Sequence, residues 1–127
     1  MSFDWTQYLF LAQELTKPSG SSPNRDARLR SAVSRAYYAA FCTARNYLRD
    51  DRKELIPSNV KAHKVVRDIF DSATDKRGLS IAKNLDRLRN DRNKADYDDH
   101  ELALQSMSEF ALKLCQSIFV NIRALKK

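Results

Sequence analysis

Residues 25–50 read RDARLRSAVSRAYYAAFCTARNYLRD and contain no glycine or proline. Apolar side chains recur here at intervals of three and four, the spacing that places them on one face of an α-helix. They are Leu29, Val33, Ala36, Tyr37, Ala40, Phe41, Ala44 and Leu48. The stretch therefore predicts one long amphipathic helix with a continuous apolar face.

A second stripe of residues runs along the same predicted helix and is basic. Its members also recur three or four apart: Arg28, Ser31, Arg35, Tyr38, Cys42, Arg45 and Arg49. Arginine binds phosphate through two parallel N–H donors, and an aromatic ring beside it offers a nucleobase a stacking surface. Arg35, Tyr38 and Arg45 are therefore candidate phosphate- or RNA-binding residues, although Tyr38 fits a packing role as well.

Four more helices are predicted by the same hydrophobic spacing. They cover approximately residues 3–16, 59–73, 79–96 and 98–127. The breaks between helices fall at residues 17–23, which read KPSGSSP, at Pro57 and at Gly78. The chain thus alternates between long helical segments and short connections.

Capping signals place two of these helix starts. Ser58 is predicted to cap the third helix, and Asp98 with Glu101 matches a capping box at the start of the fifth. The whole sequence has only two glycines and three prolines, too few for a fold built from strands and turns. We therefore expect one domain over residues 1–127, an all-α antiparallel bundle of four to five helices.

Positive charge is concentrated in the middle of the chain. The net charge is +7, and residues 25–94 hold 18 Lys/Arg against 9 Asp/Glu. Twelve of those 18 basic residues are arginine. This distribution leaves two interpretations open, a polyanion partner such as RNA or a generically basic surface.

Cysteine usage and the N-terminal sequence favour a cytoplasmic protein. Cys42 and Cys115 both fall within predicted helices, where we expect buried free thiols that suit a reducing compartment. The N-terminus lacks the segments of a signal peptide, and no apolar run approaches the length of a membrane span. Zinc-ligand spacing, a glycine-rich phosphate loop and a Ser-His-Asp arrangement are missing too, so we expect no metal, cofactor or membrane.

The fourth predicted helix carries charge on its apolar face. Ala82, Leu85, Arg89, Arg92 and Asp96 follow one another at intervals of three and four. An unpaired guanidinium is costly to bury, so Arg89 and Arg92 must be paired, reach solvent or meet a partner. Three explanations remain open: an internal salt bridge between Arg92 and Asp96, a subunit interface, or a phosphate-binding site.

Two runs of sequence resemble the HEPN domain family. The run SRAYYAAF at residues 34–41, followed by ARNYL at residues 44–48, is similar to the second helix of HEPN domains. The run LRNDRNKADYD at residues 88–98 is similar to the signature region of the family, and residues 4–15 also fit. Together with the five-helix order, the resemblance covers nearly the whole chain.

The resemblance implies an all-α bundle that commonly dimerises and is associated with RNA and nucleotide binding. Many HEPN proteins are metal-independent endoribonucleases that act as toxins or in phage defence, often beside a nucleotidyltransferase antitoxin. Their usual motif is an arginine, four to six intervening residues and a histidine, and two copies of the motif meet across the dimer.

Arg92 matches the arginine of this motif, and Asn93 follows it. The histidine is missing: Tyr97 stands in its place, and His100 lies one residue beyond the range. Metal-free RNA cleavage needs a base for the 2′-hydroxyl proton, and histidine suits this role because its pKa lies near neutrality. The resemblance therefore implies Arg92, Tyr97 and Asp96 as catalytic candidates, with a degenerate motif.

Three hypotheses about function follow. The first is an endoribonuclease toxin that uses Arg92 with Tyr97, Asp96 or His100. The second is a non-catalytic nucleotide-binding or adaptor subunit paired with a nucleotidyltransferase, and the third is a structural dimer with Arg92 and Asp96 paired across the two-fold axis. His63 is expected to be a structural or surface residue. In the first two hypotheses a homodimer binds RNA or nucleotide phosphate through Arg89, Arg92, Asn93, Arg35, Tyr38 and Arg45.

Overall fold

The computed structural model describes residues 2–18, 23–101 and 103–127. Within these residues the chain forms five α-helices and no strand, which confirms the predicted all-α bundle. The helices are α1 (Thr6–Thr16), α2 (Arg25–Asn46), α3 (Ala62–Asp71), α4 (Lys76–Tyr97) and α5 (Leu104–Leu125). The predicted loop at residues 17–23 lies partly outside the described residues, since 19–22 are not among them.

Helix α2 lies at the centre of the bundle. It packs against α1, α4 and α5, while α3 packs mainly on α4. Every apolar residue that the spacing assigned to the core face of the predicted second helix is buried, from Leu29 to Leu48. The hydrophobic face of this one helix therefore organises the core, with α4 and α5 supplying Leu85, Leu88 and Ile118.

Helix α4 begins three residues before its predicted start, so the expectation that Gly78 separates two helices is wrong. The Asp75 carboxylate accepts a hydrogen bond from the Arg77 backbone N–H at 2.8 Å and caps the helix. Gly78 instead allows close packing. A Cβ there would lie 2.9 Å from the Ala73 Cβ and 3.2 Å from the Phe70 carbonyl oxygen.

Helices α3 and α5 begin later than the capping signals predicted. Ser58 does not cap α3; the chain first turns at Asn59, whose side chain accepts from the Lys61 N–H at 2.9 Å. Asp98 does not start α5, because its carboxylate accepts from the His100 N–H and holds a turn. The Asn59 and Asp98 side chains thus each stabilise a local turn that precedes a helix, an alternative that such side chains offer the backbone.

The last turn of the predicted second helix is not α-helical. Residues Tyr47–Asp51 form a π-helical turn in which the Arg52 N–H donates to the Tyr47 carbonyl at 3.2 Å. Lys53 then adopts a φ of 57°. This positive φ turns the chain away from the helix axis, so the helix that was predicted to reach residue 50 ends its α-helical part at Asn46.

Three arginines of the basic middle region bind helix ends. Arg25 donates to the carbonyls of Thr16 and Lys17, and Arg28 donates to the Glu14 carbonyl. Arg30 donates to the Ala95 carbonyl at 2.8 Å. Cations satisfy the unpaired carbonyls at helix C-termini. Part of the positive charge in the middle of the chain is therefore structural.

Both cysteines are buried free thiols, as predicted. Burial raises the pKa of the Cys115 thiol to about 12, so it stays protonated at neutral pH.

Across residues 2–18, 23–101 and 103–127, no helix is long and apolar enough to cross a bilayer.

Candidate nucleic-acid interface

The Tyr38 ring on α2 contacts two guanidinium groups. The guanidinium carbon of Arg92, on α4, lies 5.4 Å from the centre of this ring, and that of Arg35 lies 5.6 Å from it. These distances are typical of cation–π contacts. Tyr38 thus brings together two positive charges that are 57 residues apart in the chain, arginine side chains that were both predicted to bind phosphate.

The contacts continue from Arg35 to the beginning of α1. The Arg35 guanidinium lies 4.7 Å from the Tyr8 ring centre, and the Tyr8 and Trp5 rings are 5.1 Å apart, edge to face. The guanidinium of Arg45 then lies 5.7 Å from the Trp5 ring. These six residues form one series of arginines and aromatic rings. We call the series Arg92, Tyr38, Arg35, Tyr8, Trp5 and Arg45 the arginine–aromatic row.

All six side chains of the row are partly exposed. The α2 members are spaced three and seven residues apart along one face of the helix, so their positions follow from helical periodicity. Trp5 and Tyr8 join the row because α1 packs along α2. The sequence interpretation did not identify those two rings as site residues.

Charge pairing differs along the predicted phosphate-binding set. Arg35, Arg45 and Arg89 form no ion pair with a carboxylate in the part of the chain that the structure describes. Arg92 is paired: its Nε donates to Asp96 at 3.1 Å, and its Nη1 donates to the Asn93 side chain at 3.1 Å. The row therefore offers net positive charge, most of it unneutralised.

The Arg92–Asp96 ion pair is the internal i,i+4 salt bridge that the spacing allowed. The side chains of Arg92 and Asp96 are 20% and 26% exposed, so the pair lies at the rim of the core. It forms within one helix, as the intrahelical alternative predicted.

An open cleft adjoins the row between α1, α2 and α4. Its volume is about 490 Å³, and Arg35 and Asp96 line it together with Ser31 and Ser34. Leu11 and Leu15 of α1 form its apolar side. The cleft thus places a cation and hydroxyl groups beside an apolar wall. The polar groups suit the phosphate and sugar of a nucleotide, and the apolar wall suits its base.

Of the three predicted catalytic residues, Arg92 and Asp96 are in contact, and Tyr97 lies apart from them. Tyr97 is 75% exposed, and its hydroxyl makes no hydrogen bond within the described residues. At 3.6 residues per turn it points about 140° away from Arg92 around α4. His100 is exposed in the turn that precedes α5, rather than in the first turn of that helix. Asp96, the remaining candidate, is engaged by Arg92.

Behind the row lies a hydrogen-bonded group that sequence reasoning did not identify. The hydroxyl of Tyr37 is 2.8 Å from Nδ1 of His63, and Nε2 of His63 is 3.3 Å from a carboxylate oxygen of Asp86. The other Asp86 oxygen accepts from Nε of Arg67 at 2.8 Å. The predicted structural role of His63 fits its burial. The spacing carried no signal for Asp86, because these contacts join three different helices.

Burial governs the protonation of this group. It lowers the pKa of His63 from its usual 6.5, against the Asp86 carboxylate that favours the charged imidazole. It also raises the pKa of Tyr37 far above its usual 10. At neutral pH the histidine is therefore neutral, and the tyrosine hydroxyl keeps its proton.

Neither a metal site nor a related protein identifies the function. No cluster of three or more His, Cys, Asp or Glu side chains suited to a metal ion occurs among the residues described. Comparison of the chain with protein-family models, curated proteins and solved structures gave no match. The functional assignment therefore depends on the chemistry of the row and of the groups around it.

Proposed function

We propose that this chain is a HEPN-like domain that binds single-stranded RNA or nucleotides through the arginine–aromatic row. The observation that carries the proposal is the contact of the Tyr38 ring with the guanidinium groups of both Arg35 and Arg92. Cations that alternate with aromatic rings are how proteins hold a flexible strand, since phosphates bind the cations and bases stack on the rings.

The charge pattern supports binding of phosphate. Arg35 and Arg45 lack carboxylate partners in the described chain, so a phosphate would meet cations that no internal acid neutralises. Arg89, also unpaired and exposed, lies on α4 one turn from Arg92 and extends the positive surface. Asn93 adds a side-chain amide that already contacts the Arg92 guanidinium.

The aromatic members favour single strands over a duplex. Trp5, Tyr8 and Tyr38 present partly exposed ring surface, and unpaired bases stack on such rings whatever their sequence. The bases of a duplex are already stacked on one another and cannot reach the rings. The proposed ligand is therefore a single-stranded RNA segment or a free nucleotide.

The geometry favours binding without catalysis. Cleavage of RNA without a metal needs a proton acceptor beside the phosphate. Tyr97 is turned away from Arg92, Asp96 is occupied by the ion pair, and both ring nitrogens of the buried His63 are engaged. A non-catalytic subunit fits these features best. The nucleotidyltransferase partner and the cytoplasmic location are proposed from the HEPN resemblance and the sequence.

The second candidate function is a metal-independent endoribonuclease toxin. The observation in its favour is the half-buried Arg92, because an arginine at the corresponding position acts in the HEPN motif. In this candidate, Tyr97 or Asp96 of a second copy of the chain completes the site across a homodimer.

Exposed apolar residues of α1 support a homodimer. Phe10 and Leu11 of α1 are 59% and 44% exposed, and Leu11 also lines the cleft. Apolar surface of this kind is often covered by a second subunit. Light scattering should give a dimer for the wild type at micromolar concentration, and a monomer for Leu11→Ser.

Trp5 provides a direct test of the proposed function, because it is the single tryptophan of the chain and a member of the row. Addition of a mixed-sequence single-stranded RNA oligonucleotide should change its fluorescence saturably. Arg92→Gln and Tyr38→Ala should each weaken binding about tenfold, the effect of losing one stacked base or one charged contact. Lys83→Gln removes one positive charge on the opposite side of α4 and should bind like the wild type. Equal binding by all four proteins would refute the proposal.

The same RNA, incubated with the protein in a chelator, separates the two candidates. The binding proposal predicts intact RNA after incubation. Cleavage that disappears in Arg92→Ala would establish the endoribonuclease instead.

A further inference from the structure

A buried chain of hydrogen bonds crosses three helices beneath the row. It runs from the Tyr37 hydroxyl on α2 to His63 on α3 and on to Asp86 on α4, at 2.8 and 3.3 Å. Tyr37 and His63 are 4% and 7% exposed. The proposed binding function does not use these groups directly, and packing alone would be served as well by apolar residues.

The hydrogen bonds are consistent with one proton arrangement. An ionised carboxylate only accepts, so Nε2 of His63 must donate to Asp86. In the neutral imidazole Nδ1 is then the acceptor, and the Tyr37 hydroxyl donates to it. Asp86 thus fixes the histidine tautomer, and the tautomer fixes the direction of the tyrosine hydroxyl.

Protonation of His63 would reverse the hydrogen bond to Tyr37. The imidazolium carries a proton on Nδ1 and can only donate to the Tyr37 oxygen, so the tyrosine O–H must turn away and loses its acceptor in a buried place. The charged groups around the ring act in opposite directions. Asp86 favours the imidazolium, whereas Arg89 from α4 and Arg67 from α3 disfavour it. From α2, Tyr37 and the stacked ring of Phe41 face the histidine.

Tyr37 connects this chain to the row. Its ring centre lies 5.0 Å from that of Tyr38, with an angle of 68° between the two ring planes. It lies 5.8 Å from the guanidinium carbon of Arg92. The Arg92 guanidinium thus contacts both tyrosine rings, which themselves meet edge to face. A movement of Tyr37 would therefore displace both Tyr38 and Arg92, the residues at the centre of the proposed binding surface.

We infer that His63 is a positioning residue for the row. The neutral His63–Asp86 pair holds the Tyr37 hydroxyl, and Tyr37 holds Arg92 and Tyr38 in their places. Protonation of His63 leaves the Tyr37 O–H without its acceptor and so disturbs the Tyr37 position. The row is therefore ordered at neutral pH and loosened in acid. The consequence for RNA affinity rests on the proposed function, whereas the coupling between His63 and Arg92 does not.

Nuclear magnetic resonance tests the coupling without any ligand. The Nε–H signal of Arg92 should shift on acidification with the midpoint at which the His63 ring titrates. The control is His63→Gln, whose side-chain carbonyl can accept from Tyr37 and whose amide can donate to Asp86, without titrating. In this variant the Arg92 signal should lose that transition and keep only those due to other groups, such as Asp96. A wild-type Arg92 signal that stays constant while His63 titrates would overturn the inference.

RNA affinity provides the second readout. As the pH falls below 6.5, through the range in which the His63 ring titrates, the wild type should lose about three- to tenfold in affinity for the single-stranded oligonucleotide, the equivalent of one hydrogen bond. Tyr37→Phe, which keeps the ring but has no hydroxyl, and His63→Gln should both lose distinctly less. Equal losses in all three proteins would refute the positioning role. If RNA binds at no pH, the proposed function fails, and the Arg92 signal still decides the inference.

Discussion

Nε of Arg92 lies 3.1 Å from a carboxylate oxygen of Asp96, one turn further along α4. The pair holds the guanidinium at the rim of the core, where the flat group also rests on the two tyrosine rings. Asp96 therefore has two opposing effects. It orients Arg92 through the hydrogen bond, and it neutralises part of the charge that a phosphate would meet.

Replacing Asp96 should separate these effects. Asp96→Asn keeps a hydrogen-bond acceptor next to Arg92 but removes the negative charge, so affinity for single-stranded RNA should rise severalfold. The unfolding free energy should fall by about 1 kcal/mol, as expected for a partly exposed ion pair. Equilibrium binding and urea denaturation measure the two quantities. A loss of RNA affinity would show that the orientation of Arg92 by Asp96 matters more for binding than the negative charge that Asp96 adds.

Tyr97→Phe tests the endoribonuclease candidate. The exposed hydroxyl of Tyr97 makes no hydrogen bond within the described residues, so its removal should leave stability and RNA affinity unchanged within about 0.5 kcal/mol. Thermal melting and the Trp5 fluorescence titration provide the readouts. If the wild type cleaved RNA and Tyr97→Phe did not, the hydroxyl would have a catalytic role and the binding assignment would be wrong.

Stability should depend on pH through His63. Burial lowers its pKa in the folded protein below the usual 6.5. The unfolded chain therefore binds a proton first as the pH falls. His63 therefore makes its full contribution to the unfolding free energy above about pH 6.5, and this contribution declines as the pH falls below that value. Urea denaturation at several pH values should show this decline in the wild type, and a shallower one in His63→Gln. Parallel pH profiles of the two proteins would rule out the contribution.

Gly78→Ala should destabilise the fold, although alanine has the higher helix propensity. The added Cβ would lie 2.9 Å from the Ala73 Cβ and 3.2 Å from a backbone oxygen of Phe70. The junction between α3 and α4 must then shift, at a cost of about 1–3 kcal/mol. A melting temperature equal to or above that of the wild type would mean that the junction adapts freely. Ser80→Ala, on the same helix, is a suitable control for propensity.

Much of the fold could be predicted because helical periodicity is a local property. The apolar face of α2 and the inward positions Leu85 and Leu88 of α4 follow from intervals of three and four. The helix ends were less predictable, since a capping side chain can equally close a turn that is not part of a helix. Asp98 closes a turn of this kind, whereas Asp75, which was not identified, caps α4.

The candidate site shows the same division between local and distant contacts. The Arg92–Asp96 pair spans four residues of one helix and could be anticipated from the sequence. The contacts of His63 join residues that are 26 and 23 positions apart, and no periodic pattern encodes them. Trp5 and Tyr8 became members of the row only through the packing of α1 on α2. Such contacts depend on how helices meet, which the spacing within each helix does not determine.

The salt dependence of RNA binding tests the central claim most directly. A strand that contacts the row through phosphates releases counterions, so the logarithm of its affinity should fall linearly with the logarithm of salt concentration. Arg35→Gln should bind more weakly, with a slope reduced by about 0.7, the value for one phosphate contact on a single strand. Lys83→Gln, with the same loss of charge away from the row, should keep the wild-type slope. If RNA is not bound at low salt, or if all three proteins share one slope, the arginine–aromatic row is not a nucleic-acid interface.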